Sequence, residues 1–281
     1  MTAIPAGVRP GIARGLIELR QSFAGAGILG HLFWPVVTLV AMFWLRDTRF
    51  EGTRFSVGAL MLPGVIGMFV AFGSLLTIQH LAADREDGTL LRARATPDGV
   101  RGYVVGTLIA VSATVLVYLV VLFVPGWFIV GGLAIDGPWP WLTLTWFILL
   151  GLLATQPIGI ILGALISSAR GAGYISLLVM GLVAISGIFY PIKSFPEWVQ
   201  AVAQVSPMYW LGLGMRSALL PDGASVVEIA GSWRPLEASL VLGAWTLAGL
   251  IAAPLVVGRM ARRESGSSVA RRRERLLQRV T

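Results

Sequence analysis

Arg85, Glu86, Asp87, Arg92, Arg94, Asp98 and Arg101 place seven charges in the short stretch REDGTLLRARATPDGVRGY, between two long apolar runs of a chain that otherwise avoids charge. Bond-making chemistry would need paired carboxylates, a cluster of metal ligands, or a nucleophile beside a base. The sequence offers none of these. Cysteine is absent, which removes disulfides and thiolate metal sites. His31 and His80 lie near the ends of apolar runs, where a lone histidine reads as a satisfied interfacial residue rather than a proton relay. The single lysine, Lys193, stands in FYPIKSF, without the glycines of a G-x-x-x-x-G-K-[ST] phosphate loop. These 281 residues therefore hold no means of hydrolysing ATP. The charged stretch suits a docking surface and a solvated loop equally well on its charges alone.

The elements that would carry this stretch follow from composition. Apolar residues make up 56% of the chain and charged ones 13%, against about 25% charged in a soluble domain. Together with a mean hydropathy of +0.79, this balance points to a bilayer. Six apolar runs cover roughly 29–45, 57–83, 103–133, 139–168, 172–190 and 238–258. A helix needs about 20 residues, at about 1.5 Å each, to cross a hydrocarbon core of about 30 Å. The expectation is an all-α integral membrane protein with six transmembrane helices over 29–258. The third and fourth runs are long enough to tilt; the first and fifth are near the lower limit. Burying all seven charges at a helix centre would cost about 20 kcal/mol on the insertion scale, so the 84–102 segment must lie in water.

Residues 1–28 lack the apolar core of a cleavable signal peptide. Ile12, Leu16, Leu19 and Phe23 share one helical face, apart from Arg14, Glu18 and Gln21. That pattern predicts an amphipathic helix lying on the membrane surface. Between the fifth and sixth runs, SFPE predicts a helix start with Ser194 as N-cap, Glu197 completing a capping box and Pro196 in the first turn. Phe195, Trp198, Val199 and Val202 would share its apolar face. SPMYW predicts a second start, with Ser206 as the cap and Pro207 at the first helical position. Two such short helices over 191–222 cannot each span, so they predict a re-entrant hairpin in the outer leaflet, its backbone satisfied by protein or water. Within the fourth run Gly151, Thr155, Gly159 and Gly163 recur every four residues and predict close packing inside the molecule.

Two stretches carry a resemblance. ADREDGTLLRARATPDGVRGYVVG resembles the loop after the second span of type 2 ABC exporter permeases, with Asp84, Glu86, Gly88, Thr89, Leu90, Arg92, Thr96 and Pro97 matching its pattern. Leu91 stands where that family often has Glu. SGIFYPIKSFPEWVQAVAQVSPMYWLGLGMRSALL is similar to the family's fifth-span end and extracellular re-entrant helices. The likeness covers essentially the whole chain and leans toward the drug- and lipid-export branch, the daunorubicin-resistance-like permeases, over the polysaccharide and glycolipid exporters. It implies that Asp84, Arg85, Glu86, Gly88, Thr89, Leu90, Arg92, Thr96 and Pro97 form a coupling helix seated on a separate P-loop ATP-binding subunit. Mixed charges would set register there and Leu90 and Leu91 would anchor it. It further implies ATP and Mg held by that partner, no cofactor in this chain, and a second permease copy or a similar permease as the other half. Phe189, Tyr190 and Pro191 would help form an outer gate for an amphipathic substrate. A secondary carrier would bury Asp, Glu, Lys or Arg along its pathway, and the spans lack them. A non-transporting anchor for an ATPase is the remaining alternative.

Orientation follows from charge. Arg9, Arg14, Arg20, Arg85, Arg92, Arg94, Arg101, Arg170, and the tail's Arg259, Arg262, Arg263, Arg271, Arg272, Arg273, Arg275 and Arg279 lie on one side of the alternating runs. Only Arg46, Arg49, Arg54, Lys193, Arg216 and Arg234 lie on the other. Basic residues that flank apolar runs in this way are ordinary topology, not a nucleic-acid surface. The richer side is cytoplasmic by the positive-inside rule, placing both termini and the 84–102 segment on the cytoplasmic side of a cell membrane, with the basic tail 259–281 held to anionic lipid. Single cysteines in this cysteine-free chain test the arrangement. An impermeant thiol reagent should leave position 93 unlabelled in intact cells and label positions within 46–56, and external labelling at 93 would overturn it.

Overall fold

The computed structural model describes residues 8–25, 27–48, 57–96, 98–131, 133–166, 169–190 and 192–263, which contain α-helices and no strand. In chain order they are α1 (Val8–Ser22), α2 (Gly27–Leu45), α3 (Val57–Glu86), α4 (Thr89–Arg94), α5 (Gly99–Ile129), α6 (Pro138–Leu165), α7 (Ala169–Ile185), α8 (Glu197–Val205), α9 (Pro207–Leu219) and α10 (Pro235–Arg263). Each apolar run forms one helix. Stretches of α2, α3, α5, α6 and α10 are long and apolar enough to cross a bilayer, which makes this an integral membrane protein. The fifth run yields α7, only 17 residues, or roughly 25 Å of rise. The helices also reach past the apolar runs. α3 continues through Asp84 and Arg85 to Glu86, and α5 already begins at Gly99, so the polar stretch is largely helical rather than an open loop.

α3 takes the central position, packing most extensively on α6 and also on α5, α9, α7 and α2. The spanning window of α3 is 78% buried and that of α2 only 11%; α2 thus keeps a wide apolar surface for lipid. A helix surrounded by helices needs places where backbones can approach, because in lipid the association rests on packing and hydrogen bonds rather than on exclusion of water. The stripe of α6 supplies them. A Cβ on Gly159 would lie 2.0 Å from Thr77 Oγ1 and 2.2 Å from the Ser74 carbonyl oxygen, and one on Gly163 would lie 3.3 Å from Ile78 Cα. Hydroxyls along this seam use nearby carbonyls. Thr155 Oγ1 donates to Gly151 O at 2.8 Å and lies 3.3 Å from Val70 O, while Thr77 Oγ1 is shared between Ser74 O at 2.7 Å and Gln156 O at 3.2 Å. Gln156 Nε2 donates to Ser112 Oγ at 2.9 Å and ties α5 to the same layer. On its other side α6 meets α10, where a Cβ on Gly249 would stand 2.7 Å from Pro157 Cβ.

The two ends of the bundle are built differently. At one, α4 lies across the ends of α3, α5 and α10, and α1 packs along α5. At the other, α9 is buried along almost its whole length between α3, α6 and α10. Its glycines allow the insertion: a Cβ on Gly214 would meet the Phe147 ring at 2.5 Å. α8 lies outside it with Val199 and Ala203 buried. Of the four residues expected on its apolar face, Val199 packs on the protein and Phe195, Trp198 and Val202 are exposed.

Gly159→Ala should destabilise the purified protein, since the added methyl would meet the Thr77 hydroxyl and the backbone carbonyl of Ser74, which cannot swing aside, and overpacking costs about 1–3 kcal/mol. Gly181, with nothing within 4 Å of a built Cβ, is the control. Thermal unfolding in detergent should fall for Gly159→Ala and hold or rise for Gly181→Ala.

Candidate functional site: the charged end of the bundle

The polar stretch divides by direction. Asp84, in the last turn of α3, pairs with Arg14 of α1: Arg14 Nη2 donates to Asp84 Oδ2 at 2.9 Å. Arg14 Nε also donates to Glu18 Oε1 at 2.6 Å, and its guanidinium lies 4.8 Å from the centre of the Tyr103 ring. Burial works against the Arg14 charge, but Asp84 and then Glu18 outweigh it and hold its pKa above the ordinary value. Arg85 is buried, with Nη1 donating to the Ile166 carbonyl just past α6. That corrects the expectation that all seven charges lie in water. An arginine at a helix end can satisfy a neighbouring helix's C-terminal carbonyl, so burial there does not carry the cost of a charge at mid-span.

Gly88 turns the chain with φ 73°, in the left-handed region that glycine enters without steric cost. Thr89 opens α4, and its Oγ1 accepts from Arg92 Nη2 at 3.0 Å. Leu90 is fully buried with Leu81, Tyr103, Val104, Ile160, Val257 and Met260. It anchors α4 to its own bundle and cannot serve as an apolar anchor for a partner, a second correction. A short helix laid flat across helix ends must bury one side, and Leu90 is on that side. Thr96 Oγ1 donates to Ala93 O at 2.9 Å, on the exposed side. Pro97 lies outside the described residues. Asp98 caps α5 with φ 52° and stands 3.7 Å from exposed Arg101. Asp87, Arg92 and Arg101 are exposed, and Glu86 is half-buried with no ion pair among the described residues.

What binds α1 to this end was not in its apolar pattern. Gly11 and Gly15 face Gly102 and Gly106 of α5: a Cβ on Gly11 would be 2.6 Å from Gly102 O, and one on Gly15 would be 2.9 Å from Gly106 O. Ile12, Leu16 and Ile17 are left exposed. The i, i+4 glycines in both segments were the available signal.

At the opposite end Phe189 and Tyr190 are half-buried in the turn after α7, and Pro191 is outside the described residues. The Tyr190 hydroxyl donates to Ala184 O, and its ring stacks on Phe195 with centroids 5.4 Å apart. Ser194 ends a 3-10 turn (Ile192–Ser194) and does not cap α8, which starts at Glu197 with Pro196 in the cap position and no side-chain cap bond. The capping box therefore fails. Pro196 disfavours helical backbone at Phe195 and is itself extended, with ψ 145°. Gln200 Nε2 instead holds the turn, donating to Lys193 O at 3.1 Å and Phe195 O at 2.8 Å. Ser206 caps α9 by accepting from Met208 N at 3.2 Å, with Pro207 at the first helical position. Arg216, which charge counting treats as one more outer cation, pairs at 2.7 Å with Glu228 inside the protein.

Arg14→Ala and Asp84→Asn should each cost about 1–3 kcal/mol, between a surface pair and a fully buried one. The double variant should cost less than their sum. Thermal unfolding of the four proteins measures the coupling; additive losses would mean that the pair contributes nothing.

Among the described residues this end shows a crossing helix fixed inward by Leu90, with Arg92 exposed on its other side. The family model described as ABC-2 type transporter matches residues 18–220, from the end of α1 through α9. The linearmycin resistance permease protein LnrN of Bacillus subtilis (strain 168) is 26% identical over 205 residues, covering 70% of this chain and 50% of LnrN. This chain thus spans about half the length of that relative. The match takes in every spanning helix except α10, and the chain accordingly belongs to the ABC-2 type transporter family as a membrane subunit with no phosphate loop in its 281 residues.

Proposed function

We propose that this chain is the permease subunit of an ATP-driven exporter, moving an amphipathic drug-like or lipid-like substrate out of the cytoplasm or the inner leaflet. A separate P-loop subunit binds ATP and Mg and hydrolyses the nucleotide. The observation that carries this reading is the two-sidedness of this end: Leu90 of α4 is buried against the α3, α5 and α10 helix ends, while Arg92 of α4 and the flanking Thr96 and Arg101 are exposed and Glu86 is half-buried beside them. A partner that grips the outer side loads the spanning helices directly.

In this reading both termini and α4 face the cytoplasm of a cell membrane, and α7 makes the sixth crossing. α8 and α9 form the re-entrant element at the outer face, beside a gate at Phe189, Tyr190 and Pro191. Two copies, or this chain with a similar permease, enclose the pathway. The exposed Ile12, Leu16 and Ile17 of α1 suit the lipid headgroup boundary. Spans nearly free of ionisable residues suit a substrate that enters from the membrane and needs few polar contacts. The name of LnrN, a resistance permease, favours a drug-like substrate over a polysaccharide.

Glu86→Ala tests the docking role. At an interface, truncating one member of a buried charge pair costs about 2–5 kcal/mol, so the variant should purify as a stable, inserted protein that retains its ATPase poorly or fails to couple. Arg101→Ala should be milder, because a lipid phosphate can replace its partner. Complex retention and transport per ATP after reconstitution decide, and near wild-type values for both variants would reduce the stretch to a solvated turn.

A further inference from the structure

Arg216 and Glu228 form an ion pair that is withdrawn from solvent, at 3% and 1% exposure. Arg216 Nε donates to Glu228 Oε1 at 2.7 Å, and Nη1 donates to Gly187 O at 2.9 Å and to Ile188 O at 3.1 Å. Three pieces of chain therefore meet at one guanidinium: α9, the segment after the 3-10 turn Asp222–Val227, and the backbone leaving α7. That backbone is closely seated. A Cβ on Gly64 of α3 would be 2.5 Å from Ile188 O, the same oxygen that accepts from Arg216, and a Cβ on Gly212 of α9 would be 2.9 Å from Ile188 Cγ1. Gly187 makes the turn with φ +71°. Ser186 before it is fully buried, and Phe189 and Tyr190 follow directly.

A buried ion pair is a poor source of stability, because desolvating both charges offsets their attraction and an apolar pair of similar volume often serves as well or better. It does give specificity. A planar guanidinium can hold a carboxylate and two carbonyls at once in fixed directions, which an ammonium or an alkyl chain cannot. We propose that Arg216 and Glu228 form a latch: Arg216 is the positioning residue that holds residues 186–190 against α3 and α9, and Glu228 holds Arg216 in place. Separation of the pair releases the segment, so movement of the chain around Glu228 and release of the turn are one event. The functional meaning of the latch rests on reading Phe189 and Tyr190 as the outer gate; the latch itself is a property of this chain.

Ser186→Cys provides the reporter, since the chain has no other cysteine and the substitution is close to isosteric. In the purified full chain a small thiol reagent should modify Cys slowly at this buried position. Adding Glu228→Gln should raise the rate at least tenfold. Arg216→Lys, which keeps the charge and loses the fork, should fall between. The apolar pair Arg216→Met with Glu228→Leu should stay folded and label as fast as Glu228→Gln, because no donor remains for Gly187 and Ile188. Rates within twofold of the parent in all variants overturn the latch, as does fast labelling confined to variants whose thermal unfolding temperature collapses. An apolar pair as protected as the parent overturns it too, since packing alone would then hold the turn. Reconstitution with the ATP-binding subunit separates the two ideas: fast labelling with unchanged transport keeps the latch and retires the gate.

Discussion

α3 can stand in the middle of this bundle because α6 presents no side chain where the two cross. At Gly159 the backbones of the two helices are separated by less than a methyl group would need, and the hydroxyls of Thr77 and Thr155 find carbonyl acceptors along the same seam. In a bilayer, where lipid tails are as apolar as leucine, such contacts replace the exclusion of water as the source of helix association. The other helices take positions relative to this pair. α5 joins through Gln156 and Ser112, α10 through Gly249 on Pro157, and α9 enters where Gly151 and Gly67 leave room for it.

The charged end repeats the device with an electrostatic addition. α1 meets α5 through two glycines on each helix, and Arg14 reaches Asp84 on α3 from that position. An amphipathic helix that merely rested on a membrane would have no fixed register with the bundle. Here register is set by backbone contact and an ion pair, and the apolar residues left over face outward. α4 is attached in the same manner, by Leu90 on one side, with Gly88 and Asp98 in left-handed backbone turning the chain into and out of it. Gly99 has no freedom to be otherwise: a Cβ there would be 1.9 Å from Ala93 O.

The end opposite α4 relies on polar contacts within the protein. Arg216 satisfies carbonyls of a turn that belongs to no helix, and Ser206 and Gln200 satisfy the starts and turns around α8 and α9. Backbone that leaves the helix needs such partners wherever it is shielded from water. α3 is shared by both ends. Gly64 seats the turn at one, and Asp84 binds α1 at the other, about 30 Å away along the helix.

Hydropathy by itself located the five helices long and apolar enough to span, because their signal is a sum over twenty residues that no single contact can reverse. Ser206 with Pro207 was also legible, since a cap and its helix are adjacent in the chain. Local signals failed where two of them competed. At Ser194 the capping box lost to the proline inside it, and in α1 the apolar pattern carried no sign of the contact that Gly11 and Gly15 make with α5. The charged stretch was recognisable as a unit, yet its division into Asp84, Arg85 and Leu90, held by the bundle, and exposed Arg92 and Arg101 was not. Direction depends on which helix ends α4 crosses, and those come from residues up to 170 positions away. For the same reason only the tertiary structure could turn Arg14 and Arg216 from topological charges into partners of Asp84 and Glu228: a charge records its sign in the sequence, but its partner is decided by packing.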